Sequence, residues 1–401
     1  MPRPSASSTT TTSSTTPRRW SAAGARTARR SKPSRTFSAT STPARPRCSC
    51  ASAAATRRRS IGVSRKKSCP RSSERRLHPQ FLTLPLHDGS SAMVNFGLTL
   101  SNRGVVTGAS TLDDMIALAQ RADADERWDS IWVGDSILAK PRLDALNLMS
   151  ALAVVTDRVR IGPACFASTP LRDALLLAYQ YASLDFMSNG RAIFAACMGQ
   201  AAPGGGDMLH EFDAFCVAPE SRMKRMEEAI EVMRLLTSEE NVSYHGEYND
   251  FDNVTIEPRS VQRPIPIWVT SNPRPDLKRN REAGLRRTAR LGDGWMTTFQ
   301  PPAIVEEYMA DIRRYADEEG RELPDDFEVC IYYNINVNDD RDAALAESRR
   351  YLEAYYNTEY SDEMLGLWVA MGTPEQCIAS IQSYIDAGAT TITLRLVGYD
   401  Q

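Results

Sequence analysis

The chain has 401 residues and a formal net charge of −2, an average that hides two unlike regions. Residues 1–92 hold 19 of the 48 basic residues and only two of the 50 acidic ones, so the remaining residues carry about −19. This acidic remainder is long enough for one large α/β domain, and its charge argues against a nucleic-acid-binding surface. No apolar run approaches the length that spans a membrane.

The first 92 residues are rich in Ser, Thr, Arg, Pro and Ala, without an apolar periodicity that could bury a core. This composition predicts a disordered tail. Three origins stay open: translation that in fact starts at Met93, an organellar transit peptide, or a basic arm for nucleic acid or a membrane. The first is favoured because residues 94–98 have the pattern of a first strand. We therefore expect the functional domain to span residues 93–401.

From Val94 onward, short apolar runs alternate with amphipathic stretches. The predicted strands lie at about 94–100, 130–134, 159–166, 191–197, 265–270, 293–298, 327–335 and 390–396. The predicted helices lie between them, at about 111–127, 143–155, 172–187, 220–237, 276–290, 302–319, 339–357 and 374–387. Eight strand–helix repeats predict a (β/α)8 TIM barrel in which the first strand pairs with the last.

Two insertions interrupt the repeats, a Gly-rich segment at about 200–219 and a predicted hairpin at 239–264. Insertions on a barrel commonly shape its substrate-binding end.

The five cysteines after Met93 form no CxxC pair and no metal-type spacing with His210 and His245, the two histidines of that region. They are typical of core thiols in a reducing compartment, so we expect a cytoplasmic protein without a metal site. No GxSxG, HExxH, P-loop or clean GxGxxG motif follows Met93. A barrel with so little nucleophile or metal machinery indicates that a bound cofactor does the chemistry.

Six short segments, in order over about 300 residues, resemble the signatures of the bacterial luciferase-like family of flavin-dependent oxidoreductases. They are WDSIWVGDS from Trp128, TDRVRIG from Thr156, SLDFMSNGR from Ser183, PIPIWV from Pro264, LGDGW from Leu291 and GTPEQC from Gly372. The resemblance implies a flavin over the carboxyl ends of the barrel strands.

By the same resemblance, a strained bulge after the third strand supports the flavin ring, often with a non-prolyl cis peptide. The positions implied for cofactor binding are Ala167, Ser168, Thr169, Met198, Gly199, Arg222, Thr270, Ser271, Asn272, Trp295 and Thr297. Loop amides, hydroxyls and an arginine are the groups that a cofactor phosphate requires.

The candidate catalytic residues are Asp135, Ser136, Gln200 and His210. Ser136 stands where many relatives have a histidine, and Gln200 where sugar-oxidising deazaflavin relatives have a glutamate. An amide does not titrate, so Gln200 cannot donate a proton as that glutamate does. His210 is a possible acid or base in the first insertion.

Three functions stay open. The first is a monooxygenase that uses reduced FMN, O2 and a separate flavin reductase on a small organic substrate. The alternative is a reductase or dehydrogenase that uses the deazaflavin coenzyme F420, resembling methylenetetrahydromethanopterin reductase. The third is a non-catalytic flavin-binding relative. A homo-oligomer is expected, with neither nucleic acid nor a membrane as partner.

Overall fold

The computed structural model describes residues 94–200 and 206–398. Its strands are β1 Asn95–Leu100, β2 Ser130–Val133, β3 Arg160–Pro163, β4 Phe194–Ala196, β5 Val242–His245, β6 Asp250–Val254, β7 Ile267–Thr270, β8 Gly294–Thr297, β9 Glu328–Val337, β10 Val369–Gly372 and β11 Thr391–Leu396. Its helices are α1 Gly104–Thr107, α2 Leu112–Ala124, α3 Ala145–Ala153, α4 Ala174–Ser188, α5 Met208–Ala214, α6 Arg222–Ser238, α7 Lys278–Leu291, α8 Pro302–Glu318, α9 Arg341–Tyr356, α10 Asp362–Trp368 and α11 Pro374–Asp386.

Eight of these strands form a parallel barrel in the order β3-β2-β1-β11-β9-β8-β7-β4. Bridges between Ile161 and Ala192 and between Phe166 and Ala196 join β3 to β4 and nearly close the ring. The first strand pairs with the last, from Asn95 opposite Thr391 to Leu98 opposite Leu394. The predicted (β/α)8 barrel is therefore confirmed. All eight carboxyl ends lie at one rim, which we call the mouth.

The segment predicted as a hairpin is one, since β5 and β6 pair antiparallel. Four elements were not predicted as such, among them the short helices α1 and α10. Strand β10 pairs in parallel with the last four residues of β9, and helix α5 lies within the Gly-rich insertion.

Two predicted helix starts have complete capping boxes. The Thr111 hydroxyl accepts from the Asp114 amide while the Asp114 carboxylate accepts from the Thr111 amide, and Thr373 and Gln376 repeat the arrangement at α11. Each cap satisfies amides that the first helical turn leaves without partners. None of the helices in the described ranges is both long and apolar enough to cross a bilayer.

Two tryptophans fill the middle of the barrel. The rings of Trp132 and Trp268 lie with centroids 5.0 Å apart. Facing strands make room with glycines: a Cβ on Gly162 would lie 2.7 Å from Trp132 Cζ3, and one on Gly294 would lie 2.6 Å from Trp268 Cδ1. At the amino end of the strands, Arg160 and Glu328 form a bidentate ion pair at 2.5 and 2.8 Å. A ligand therefore has to bind at the mouth.

Candidate functional site

The loop after β3 is attached to the end of β2 through Asp135. Its Oδ2 accepts a hydrogen bond from the Ser168 amide at 2.7 Å, and Arg172 Nη2 lies 3.9 Å from Oδ1. Arg172 Nε also donates to Ser168 Oγ at 2.8 Å. Burial raises the pKa of Asp135, and Arg172 and the Ser168 amide only partly offset this effect. The buried Asp135 carboxyl thus positions the 167–169 loop, which makes it a positioning residue.

The expectation of a non-prolyl cis peptide after β3 is wrong for this chain. In the described ranges, the cis peptide bonds are Glu257–Pro258 and Arg263–Pro264. The unusual backbone geometry falls instead on Cys165, with φ at 86°. Few side chains adopt this region, so the bulge is present as backbone strain at a neighbouring residue.

The end of β4 meets this bulge, as the cofactor prediction requires. Gly199 has φ at 66°, and a Cβ there would lie 3.0 Å from the Ala167 carbonyl oxygen. Phe212 Cζ and Met208 Cε of α5 would lie 3.6 and 3.8 Å from the same Cβ. Met198 beside it is half-buried, as is Ala167. Close backbone approach with little side-chain bulk is what a planar ring needs.

Ser136 and Glu211 connect helix α5 to the barrel. The buried Glu211 carboxylate accepts from the Ile137 amide at 3.0 Å, from the Ala139 amide at 2.7 Å, and from the Leu138 amide. Ser136 Oγ lies 3.4 Å from the same carboxylate and accepts from the Lys140 amide at 3.0 Å. The Ser136 hydroxyl is therefore hydrogen-bonded within the loop that follows β2.

Two of the candidate catalytic side chains lie at exposed positions. His210 is exposed, and its amide caps α5 through Asp207. The inward face of α5 carries Met208, Glu211 and Phe212 instead. Gln200 is also exposed. His245 lies on the hairpin, 64% exposed, beside Asp250 and Asp252. The catalytic roles of His210 and Gln200 therefore stay predictions, with both side chains at exposed positions.

The two loops predicted to bind the cofactor phosphate do lie together. Asn272 Oδ1 accepts from Thr297 Oγ1 at 3.1 Å and from the Thr298 amide at 2.9 Å. Trp295 is fully buried and donates from Nε1 to the Ser271 carbonyl at 3.0 Å, so its indole braces the loop from within. The Thr270 hydroxyl is buried and has no hydrogen-bond partner among the described residues.

Arg222, at the start of α6, is half-buried. Its Nη1 donates to the Pro219 carbonyl at 2.6 Å, while its buried Nε has no partner within the described ranges. Unpaired buried donors are uncommon in folded proteins. Thr270 and Arg222 each therefore have hydrogen-bonding capacity left for a ligand.

The structure adds a group of cations that the sequence prediction missed. Lys140 and Arg142 follow β2, Arg103 follows β1, and Arg395 lies near the end of β11. Lys140 Nζ lies 5.2 Å from the ring centroid of Tyr356. Burial, reinforced by Arg142, lowers the pKa of Lys140 to about 8. Because α9 supplies the facing tyrosines from 213 residues beyond Arg142 and from 39 residues before Arg395, no local motif signals this cluster.

The described residues thus form an eight-stranded parallel barrel with buried polar groups at its mouth, the architecture of a TIM-barrel enzyme. The model of the luciferase-like monooxygenase family matches residues 94–391. The chain belongs to this family, and it is a luciferase-like oxidoreductase. The resemblance seen in the sequence is confirmed.

Known relatives use either of two cofactors. An F420-dependent glucose-6-phosphate dehydrogenase of Amycolatopsis mediterranei is 25% identical over 313 residues, which cover 72% of this chain and 90% of that protein. Among solved structures, an F420-dependent secondary alcohol dehydrogenase with an F420–acetone adduct has a TM-score of 0.63 at 19% identity, covering 77% and 94% of the two chains. The FMN-bound oxygenating constituent of 3,6-diketocamphane monooxygenase from Pseudomonas putida has a TM-score of 0.57 at 16% identity, covering 76% and 91%.

Proposed function

We propose that this protein is a dehydrogenase or reductase that uses coenzyme F420 and acts on a small organic substrate at the mouth. The observation that carries the proposal is the similarity, over most of both chains, to F420-dependent glucose-6-phosphate dehydrogenases. When bound, a deazaflavin accepts or supplies a hydride.

The residues at the mouth fit such a group. The backbone of Gly199 packs against the Ala167 carbonyl, so the ends of β3 and β4 meet with little side-chain bulk between them. The unpartnered Thr270 hydroxyl, with the adjoining Ser271–Asn272 loop, offers donors for a phosphate. Thr297 keeps Asn272 in place, and the Asp135–Ser168 bond keeps the bulge in place.

Lys140 provides the proton transfer that Ser136 and Gln200 cannot. Oxidation of an alcohol requires a base for the hydroxyl proton, and a group with a pKa near the working pH is the most effective one. Lys140 Nζ has a pKa of about 8 and lies within electrostatic reach of Cys165 at the bulge. In this proposal, the neutral amine accepts the proton and the ammonium returns it in the reverse direction.

The second candidate is the reduced-FMN monooxygenase that consumes O2. It is favoured by the serine and glutamine at positions 136 and 200, because neither supplies the acid that sugar-oxidising deazaflavin relatives use. A separate flavin reductase belongs to this candidate alone. A homo-oligomeric state is proposed with either function.

The two candidates separate in an anaerobic titration of the full chain with reduced F420 and with reduced FMN. Saturable binding of F420, followed by substrate-dependent change in its absorbance without O2, supports the first. Binding of FMN alone, with substrate oxidation only after O2 is admitted, overturns the first in favour of the second. Turnover with neither cofactor under any condition favours a non-catalytic relative.

A further inference from the structure

Arg395 is a fully buried cation inside the mouth. Only 1% of the residue is exposed, and its Nη1 donates to the Tyr356 hydroxyl at 2.6 Å. Its guanidinium carbon lies 4.3 Å from the ring centroid of Tyr355 and 5.2 Å from that of Tyr332. Nε and Nη2 are buried, and neither has a hydrogen-bond partner in residues 94–200 or 206–398.

Two further arginines lie around the same tyrosine. Arg142 Nη1 is 3.4 Å from the Tyr355 hydroxyl, and its guanidinium carbon is 5.4 Å from the ring centroid. The Arg103 side chain interacts electrostatically with Tyr355, and its Nε and Nη1 are also buried without partners in the described part of the chain. Within that part, none of these three guanidinium groups forms an ion pair with a carboxylate, although 20 ion pairs are present elsewhere.

Three positive charges in one place, with Arg395 fully buried and Arg103 and Arg142 half-buried, are unfavourable unless something compensates them. Stacking on tyrosine rings contributes, but each cation–π contact provides only about 0.5–2 kcal/mol. Stacking also leaves the N–H groups of Arg395 Nε and Nη2 without acceptors. The cluster is therefore electrostatically incomplete as it stands.

The two Arg395 nitrogens without partners indicate which kind of ligand would neutralise the cluster. Nε and Nη2 share one edge of the planar guanidinium, so their N–H bonds point the same way. That edge matches the two oxygens of a carboxylate or a phosphate. Trp368 Nε1, whose ring centroid lies 5.2 Å from that of Tyr356, is another buried donor without a partner in the described ranges.

We propose that Arg395, together with Arg103 and Arg142, forms a site for the carboxylate or phosphate group of the substrate, which is therefore an organic anion. Assigning the anion to the substrate rests on the proposed function, whereas the existence of the site does not. The group enters over Tyr356, the half-buried last residue of α9, and takes the free edge of Arg395.

The test measures binding of inorganic phosphate and of malonate to the full chain by calorimetry, and the melting temperature at each concentration, with sodium chloride holding ionic strength constant. Arg395→Met removes the guanidinium group, Arg395→Lys keeps the positive charge but loses the edge formed by Nε and Nη2, and Arg103→Met removes a second cation. The matched control is Arg314→Met, because Arg314 also stacks on a tyrosine but is 51% exposed on α8.

We expect saturable binding and a rising melting temperature for the wild type and for Arg314→Met. The Arg395 and Arg103 variants should lose affinity by about tenfold or more, as deletion of a charge-assisted pair requires. Without anion, Arg395→Met should melt at or above the wild-type temperature, since an uncompensated buried charge is gone.

Three results overturn the proposal: no saturable binding to the wild type, unchanged binding to both Arg395 variants, or equal stabilisation by chloride alone. Competition between phosphate and reduced F420 assigns the anion to the cofactor and overturns the substrate assignment. If phosphate binds through Arg395 while F420 does not bind at all, the site stands and the proposed function fails.

Discussion

A substitution of Thr270 can distinguish a ligand-binding role of its buried hydroxyl from a structural role. Since it has no partner among the described residues, Thr270→Val should leave the free energy of unfolding unchanged or raise it slightly. Cofactor affinity should fall about tenfold, because one hydrogen bond to a charged phosphate is lost. Denaturant unfolding and cofactor titration measure the two quantities.

The control for Thr270 is Thr288→Val on α7. Thr288 is also buried, but its hydroxyl donates to the Gly284 carbonyl at 3.1 Å. There the stability should fall by about 1 kcal/mol with cofactor affinity unchanged. A stability loss at Thr270 with unaltered cofactor affinity contradicts the binding role.

Lys140 makes a prediction about pH. Burial lowers its pKa to about 8, so kcat/KM for substrate oxidation should rise as the pH passes through about 8 and level off above it, where the neutral amine dominates. Lys140→Met should remove this break and lower kcat about 100-fold, the usual contribution of a positioned base. The exposed Lys224→Met on α6 is the control. An unchanged break in Lys140→Met excludes this lysine as the base.

The same pKa shift makes the free energy of unfolding depend on pH. The folded protein binds fewer protons at Lys140 than the unfolded chain does between about pH 8 and the ordinary lysine value of 10.5. The free energy of unfolding therefore rises with pH in that window and gains nothing from this group below it. In Lys140→Met this part of the slope should vanish.

At the scale of elements, α5 is held to the barrel mainly through one carboxylate. Glu211 accepts from three successive amides of the loop after β2. Glu211→Gln keeps the shape but loses the charge, so we expect a loss of about 2–3 kcal/mol in unfolding free energy. Amide hydrogen exchange should accelerate at residues 137–139. Asp213→Asn, exposed on the same helix, should change neither quantity.

Periodicity and turn residues were enough to predict all eight barrel strands and the hairpin. Strand β10 was missed because Val369–Gly372 follows α10 directly, and an apolar run there resembles a helix end. Helix α5 was missed because a Gly-rich segment suppresses helical periodicity.

The site was predictable only where contacts are local to strand ends. Ala167 and Gly199, and the loops at Thr270 and Thr297, were brought together as expected. Side-chain direction was not predictable: His210 and Glu211 are neighbours, yet only Glu211 faces inward. Nothing near Arg395 in the sequence points to tyrosines 40 residues earlier.

At the scale of the whole molecule, the fit of two tryptophans inside the barrel sets its stability. A methyl group at Gly162 would press on Trp132, and overpacking of this kind costs about 1–3 kcal/mol. Gly162→Ala should therefore lower the midpoint of denaturant unfolding. Gly366→Ala, in α10 with open space around it, should be neutral or stabilising by up to about 1 kcal/mol. Equal effects of the two changes would argue against a filled interior.

The filled barrel also imposes a sequence of events on the proposed reaction. With Trp132 and Trp268 blocking the middle and the Arg160–Glu328 pair at the far end, the mouth is the one entrance and exit that the barrel itself leaves. A cofactor that rests on the bulge must arrive before a substrate held above it, and the product must leave first. Steady-state kinetics should then follow a compulsory order of binding. Excess substrate should inhibit the enzyme by occupying the mouth before the cofactor binds.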